Sequence, residues 1–167
     1  MQINDAVIHP GQGVCRITDI REEDFAGEKQ LYYVLEPVYA KKGTTLFVPA
    51  EGNKVQLRKI LKKSEIEALI EEAVSSPDTD WNSNDKMRQR EFMQTLKQGS
   101  HIEIMKMIAS IRMHKKSLYG SGKKLHSGDE HIMENAEHLL HQEFAFSLGL
   151  KPEEVGAYII KQIEKIK

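Results

Sequence analysis

Trp81 has the setting that most invites a chemical role. Between Ser75 and Lys86 the only non-polar side chains are Pro77 and Trp81, so nothing beside the ring in sequence helps to bury it. Lys86, Arg88 and Arg90 follow within three turns of helix. An aromatic ring at a polar helix entrance can wedge between bases or stack on them while nearby cations hold phosphates. The plain alternative is a core anchor, the usual place of a lone tryptophan. A second basic group, Lys115, Lys116, Lys123 and Lys124, flanks the stretch Tyr119-Gly120-Ser121-Gly122. Lysines so placed can neutralise phosphates without reading sequence. They equally suit the solvated C-terminal end of a helix, where a cation complements the helix dipole.

Charge distribution supports a localised polyanion contact. The net charge is −1, yet residues 81–127 carry ten Lys/Arg against three Asp/Glu, a net +7. Residues 1–61 are neutral, and residues 62–80 and 128–167 each sum to −4. A basic segment inside a near-neutral total fits one nucleic-acid face rather than a general coat; a solvated basic helix pair fits it too.

Other chemistry finds less support. Glu134, His138 and His141 have helical spacing compatible with metal ligation. On a helical wheel, however, they lie with His131 opposite Met133, Ala136, Leu140 and Phe144, which describes a solvated polar face. No carboxylate pair, Ser/His/Asp set or glycine-rich phosphate loop emerges, so neither an enzyme nor a cofactor is expected. Cys15, the single cysteine, rules out an internal disulfide and reads as a small buried hydrophobe.

Two kinds of element must position these residues. Up to residue 61 the pattern is β. Short runs such as Ala6-Val7-Ile8-His9, Val14 to Ile20, Leu31-Tyr32-Tyr33-Val34-Leu35 and Thr44 to Val48 are separated by Gly- and Pro-containing turns. From residue 62 the period becomes helical, with capping boxes at Ser64–Glu67, Ser100–Glu103 and Ser127–Glu130. Gly99 is placed to close a helix in a left-handed cap, and Pro152 to open the last one. The spacing predicts four or five strands and then five helices, an α+β chain with a small bent sheet or barrel over 1–61 and an all-α domain over 62–167.

Composition bounds the class. A chain of 167 residues, 40% hydrophobic and 29% charged, has room for one domain or two small ones. No apolar run approaches the roughly 18 residues that cross a bilayer. The first residues lack a basic stretch and apolar core, so no signal peptide, no membrane and a cytoplasmic location are expected. Nothing resembles a zipper, which leaves a monomer as the expectation.

Taken together, the motifs resemble the CarD/CdnL family of bacterial RNA polymerase-binding transcription regulators. Val7-Ile8-His9-Pro10-Gly11-Gln12-Gly13-Val14 is similar to the family's opening Val-x-Tyr-Pro-x-His-Gly-Val. Val48-Pro49-Ala50-Glu51 is similar to its Val-Pro element. Asp80-Trp81-Asn82, Leu96-Lys97-Gln98-Gly99, Leu125 to Glu130 and Ala136 to Leu140 continue the match in order. The resemblance implies a Tudor-like N-terminal module that binds the polymerase β subunit, as in the transcription-repair coupling factor. It also implies a helical domain on promoter DNA at the upstream edge of the −10 element.

Carried onto this chain, the resemblance makes Trp81 a minor-groove wedge that stabilises the melted promoter, with Asn82 beside it. Lys86, Arg88 and Arg90 then supply backbone contacts. Glu23, Asp24, Phe25, Leu46 and Phe47 fall in the polymerase-facing strand region. The chain departs from the pattern at His9 and Gln12, and at Ser83 and Asn84, where relatives commonly carry basic residues. Glu23 and Phe47 stand where some relatives carry Arg. The competing reading is a protein–protein adaptor that docks on polymerase without touching DNA.

Overall fold

A computed structural model of the chain describes residues 1–52, 54–78 and 80–167. Five strands, β1 (Ala6–His9), β2 (Gly13–Phe25), β3 (Glu28–Pro37), β4 (Leu46–Pro49) and β5 (Arg58–Lys59), form one antiparallel sheet in the order β4-β3-β2-β1-β5. The long β2–β3 hairpin turns through Ala26 and Gly27, both at positive φ (66° and 86°). Two successive positive-φ residues match the right-handed strand twist, which is why such tight turns favour glycine. A register shift between Ile17 and Asp19 bends β2 along its length. Val7, Cys15, Ile17, Leu35 and Val48 make the core of this sheet.

Strand β2 does not alternate strictly between buried and exposed positions. Gly13, Val14 and Cys15 are all buried in succession, because this end of the sheet has neighbours on both faces. One face packs on the sheet's own core, while Ile8 and Gly13 border a small cleft shared with Leu139 and Leu140. Gly13 sits at φ +72°, and a Cβ there would stand 2.9 Å from Gln142 Oε1. Glycine is therefore fixed both by conformation and by close approach.

Five helices follow: α1 (Lys63–Ser75), α2 (Asp85–Gln98), α3 (His101–Ser117), α4 (Ser127–Leu148) and α5 (Pro152–Ile166). Helix α4 touches all four others as well as β2. Its Ile132, Met133, Ala136, Leu140 and Phe144 are buried with Ile66, Ile70, Ile104, Ile108, Ile111 and Val155. Each of these side chains except the small Ala136 contributes roughly 1.5–3 kcal/mol on burial, so α4 is the spine on which the other helices are placed.

The caps differ from expectation in three places. Helix α1 begins earlier than the Ser64–Glu67 box: Glu65 Oε2 accepts from the Lys62 backbone N–H at 2.6 Å. Helix α4 is capped by His126, whose Nδ1 accepts from Gly128 N at 3.0 Å, rather than by Ser127. Gly99 is not left-handed but extended (φ −71°, ψ 156°). Its glycine answers a shortage of space, since a Cβ would lie 2.5 Å from the Thr95 carbonyl oxygen where α2 hands over to α3. Ser100 and Glu103 form the expected box, and Pro152 opens α5.

Candidate functional site

Trp81 lies in the irregular approach to α2, and side-chain turns give that approach its shape. Asp80 N donates to Asp78 Oδ1, Asn84 N donates to Asn82 Oδ1, and Asn84 Oδ1 caps α2 by accepting from Met87 N. Asn82 and Asn84 are thus occupied in building the entrance. The indole is half-buried and rests among ring systems from two helices. The His114 imidazole of α3 stacks on it at 3.8 Å and 9° from parallel, and Phe92 of α2 meets it edge-on at 5.9 Å. The ring is neither a fully buried core anchor nor a free surface group.

Arg88, expected from sequence as a phosphate contact, is turned inward. It is only 3% exposed, and every part of its guanidinium fork has an acceptor. Nε and Nη2 donate to the Asp129 carboxylate (3.2 and 2.5 Å), Nη2 also to Asp85 at 2.8 Å, and Nη1 to the Asn82 carbonyl at 2.9 Å. Burial works against the charge, but the hydrogen bonds and charges of Asp129 and Asp85 outweigh it and raise the Arg88 pKa above its ordinary value. The same guanidinium lies over the Trp81 ring, 4.5 Å from its centroid. Arg88 therefore ties the approach segment, α2 and α4 together beneath the indole, with four of its five N–H donors used inside the protein.

The other expected cations separate into two kinds. Lys115 is engaged with Glu130 at 2.6 Å, and that hydrogen bond raises its pKa. Lys86, Arg90, Lys116, Lys123 and Lys124 are exposed and make no ion pair among the described residues. Lys86 and Arg90 are four residues apart on α2, hence on one face of it. Lys116 lies in the last turn of α3, and Lys123 and Lys124 follow a loop bent by left-handed Gly120 and Gly122, with Tyr119 77% exposed at its start. Trp81 shares a surface cleft with Met113, His114 and Ser117 of α3, so the indole sits beside the helix that leads into this basic loop.

Sequence reasoning did not pick out His114 or Asp129 as partners of this site. They lie 33 and 41 residues from the groups they meet, and no local pattern marks such pairs. His138 and His131, by contrast, are solvent-facing on α4, whereas His141 leans inward and burial lowers its pKa.

The far end of the sheet carries a second surface. Phe25, Tyr32 and Phe47 meet edge-to-face with centroids 5.0–6.5 Å apart. Phe25 and Phe47 remain 45% and 37% exposed. Arg21 lies over Phe47 at 5.5 Å and pairs with Glu23 at 2.6 Å. Asp24 is exposed on the same hairpin, facing Lys29 across the ladder. Leu46 packs against the sheet core instead. Strand β4 pairs only with β3 among the described residues and so presents a free backbone edge.

An antiparallel sheet with an exposed aromatic face, joined to an α-helical domain with a half-buried tryptophan beside a basic loop, describes a two-part binding protein. A family model for the CarD-like/TRCF RID domain matches residues 1–61, and one for the CarD C-terminal domain matches residues 69–160. The chain belongs to the CarD family. Membership points to transcription regulation through interaction with RNA polymerase. A search of curated proteins found no match. No helix among the described residues is long and apolar enough to cross a membrane.

Proposed function

We propose that this chain binds the RNA polymerase β subunit through the β4 edge and the aromatic face of its sheet, and promoter DNA through Trp81. In this reading Trp81 enters the minor groove at the upstream edge of the −10 region and stabilises the open complex. Lys86, Arg90, Lys116, Lys123 and Lys124 hold phosphates around it. Arg88 serves the contact from beneath, by fixing the indole. Phe25 and Phe47, with Glu23 and Asp24 at their rim, form the polymerase-facing surface, while the free edge of β4 offers backbone groups to a partner strand.

The observation that carries this reading is the half-buried indole held by Arg88 and His114 in a cleft that it shares with Ser117, the last residue of α3. Inserting a ring at a base step costs a few kcal/mol of unstacking, offset by contacts the distortion allows. A protein that grips the melted promoter more tightly than the closed one shifts the equilibrium by the difference between the two affinities and no more.

Binding of the full chain to a forked promoter fragment at 50 and 200 mM salt tests the DNA half. Five phosphates neutralised by five cations imply a loss of about 500-fold over that range. Absence of binding at both salt concentrations would instead support the adaptor.

A further inference from the structure

One face of the Trp81 indole is already occupied. The His114 ring lies 3.8 Å from it and 9° from parallel, the separation at which one flat ring stacks on another. A base could not use that face as a stacking platform, and the Arg88 guanidinium also lies over the ring, 4.5 Å from its centroid. The Trp81 backbone belongs to neither a helix nor a strand, so the ring's direction comes from side chains on other elements. Arg88 supplies one restraint from α2, itself anchored to Asp129 of α4. His114 supplies the other from the last turn of α3, where Ser117 Oγ donates to its carbonyl oxygen at 2.6 Å.

We propose that His114 is a positioning residue for the DNA contact: it backs the Trp81 indole, so the ring meets the duplex edge-first as a stiff wedge rather than face-on as a platform. The inference rests on the reading of Trp81 as the DNA contact. An unrestrained indole must surrender its rotamer freedom on entering the groove, whereas a backed one has done so before the encounter. Asn or Ser at 114 would supply polarity without a stacking surface, while any flat ring would supply the backing. That separates His114 acting through its shape from His114 acting through its charge.

Trp81 is the only tryptophan, so its fluorescence reports the site directly. In the DNA-free protein, His114→Ala is expected to raise acrylamide quenching of Trp81, and His114→Phe to restore the wild-type value. On a forked promoter fragment, His114→Ala is expected to bind about two- to tenfold more weakly, the worth of one aromatic pair, with His114→Phe again restored. A role confined to folding would leave affinity unchanged at temperatures where both variants are fully folded. Wild-type affinity for His114→Ala, or tighter binding because an obstructing ring has gone, overturns the inference. Failure of the underlying reading looks different: Trp81→Ala then binds the fragment as well as wild type, whatever His114 does.

Discussion

Replacing Asp129 with Asn probes the support beneath the candidate wedge. Arg88 and Asp129 are 3% and 0% exposed and share two hydrogen bonds. Removing one partner of such a pair leaves an uncompensated buried charge, at a cost of about 3–5 kcal/mol. Asp85 stays within 2.8 Å of Nη2, but its own side chain is 58% exposed, so water screens it and its compensation stays below about 1 kcal/mol. The Asn carbonyl keeps one acceptor in place, which sets the expectation near the lower bound, about 3 kcal/mol. Against a total stability of about 5–15 kcal/mol that is a large fraction.

Urea unfolding followed by Trp81 fluorescence measures this effect in the helical domain, where the ring resides. The double variant Arg88→Met/Asp129→Leu buries no charge and should recover stability to within about 1 kcal/mol of wild type. It should not recover the fixed indole, so acrylamide quenching of Trp81 stays high. A loss under about 1 kcal/mol for Asp129→Asn would refute the argument, because it would mean that water reaches the pair and Arg88 is free to serve elsewhere.

Two further outcomes follow from the same packing. Gly13→Ala should lose about 1–2 kcal/mol in chemical unfolding, from the left-handed backbone alone. The Gln142 amide must also move where the sheet meets α4, and unchanged stability would show that neither constraint acts. Burial lowers the pKa of His9 and of His141, so their charged forms are favoured in the unfolded chain. Their contribution is complete above the ordinary histidine pKa and is lost as the pH falls from about 7 towards 5. The variant His9→Gln/His141→Gln should lose less stability than wild type over that window, and identical pH profiles would contradict the assignment.

Periodicity makes the elements legible in this sequence, whereas partnerships between distant side chains are not. The switch from strand alternation to helical spacing near residue 62 and the Ser100–Glu103 box appear in the structure as read, because both depend on neighbours within a few residues. The cap of α4 moved from Ser127 to His126 because an imidazole nitrogen accepts from Gly128 N as well as a hydroxyl does. Gly99 has the position of a conformational glycine and is a spatial one, since at the end of α2 a Cβ would run into the Thr95 carbonyl oxygen, a clash that residue type and spacing do not display. Trp81 stood out through its polar surroundings. Its actual neighbours, His114 and the Arg88–Asp129 pair, depend on the packing of α2, α3 and α4, and no local pattern encodes that. Arg88 is the instructive case: spacing grouped it with Lys86 and Arg90, yet one helical residue of the three faces inward and changes its task.

The lifetime of the open promoter complex, measured with RNA polymerase and either wild-type chain or Trp81→Ala, tests the central claim most directly. The account predicts that Trp81→Ala still binds polymerase, since the aromatic face of the sheet is untouched, while the lifetime gained from the wild-type chain falls about tenfold, the equivalent of about 1.4 kcal/mol. Equal lifetimes with the two proteins would contradict it.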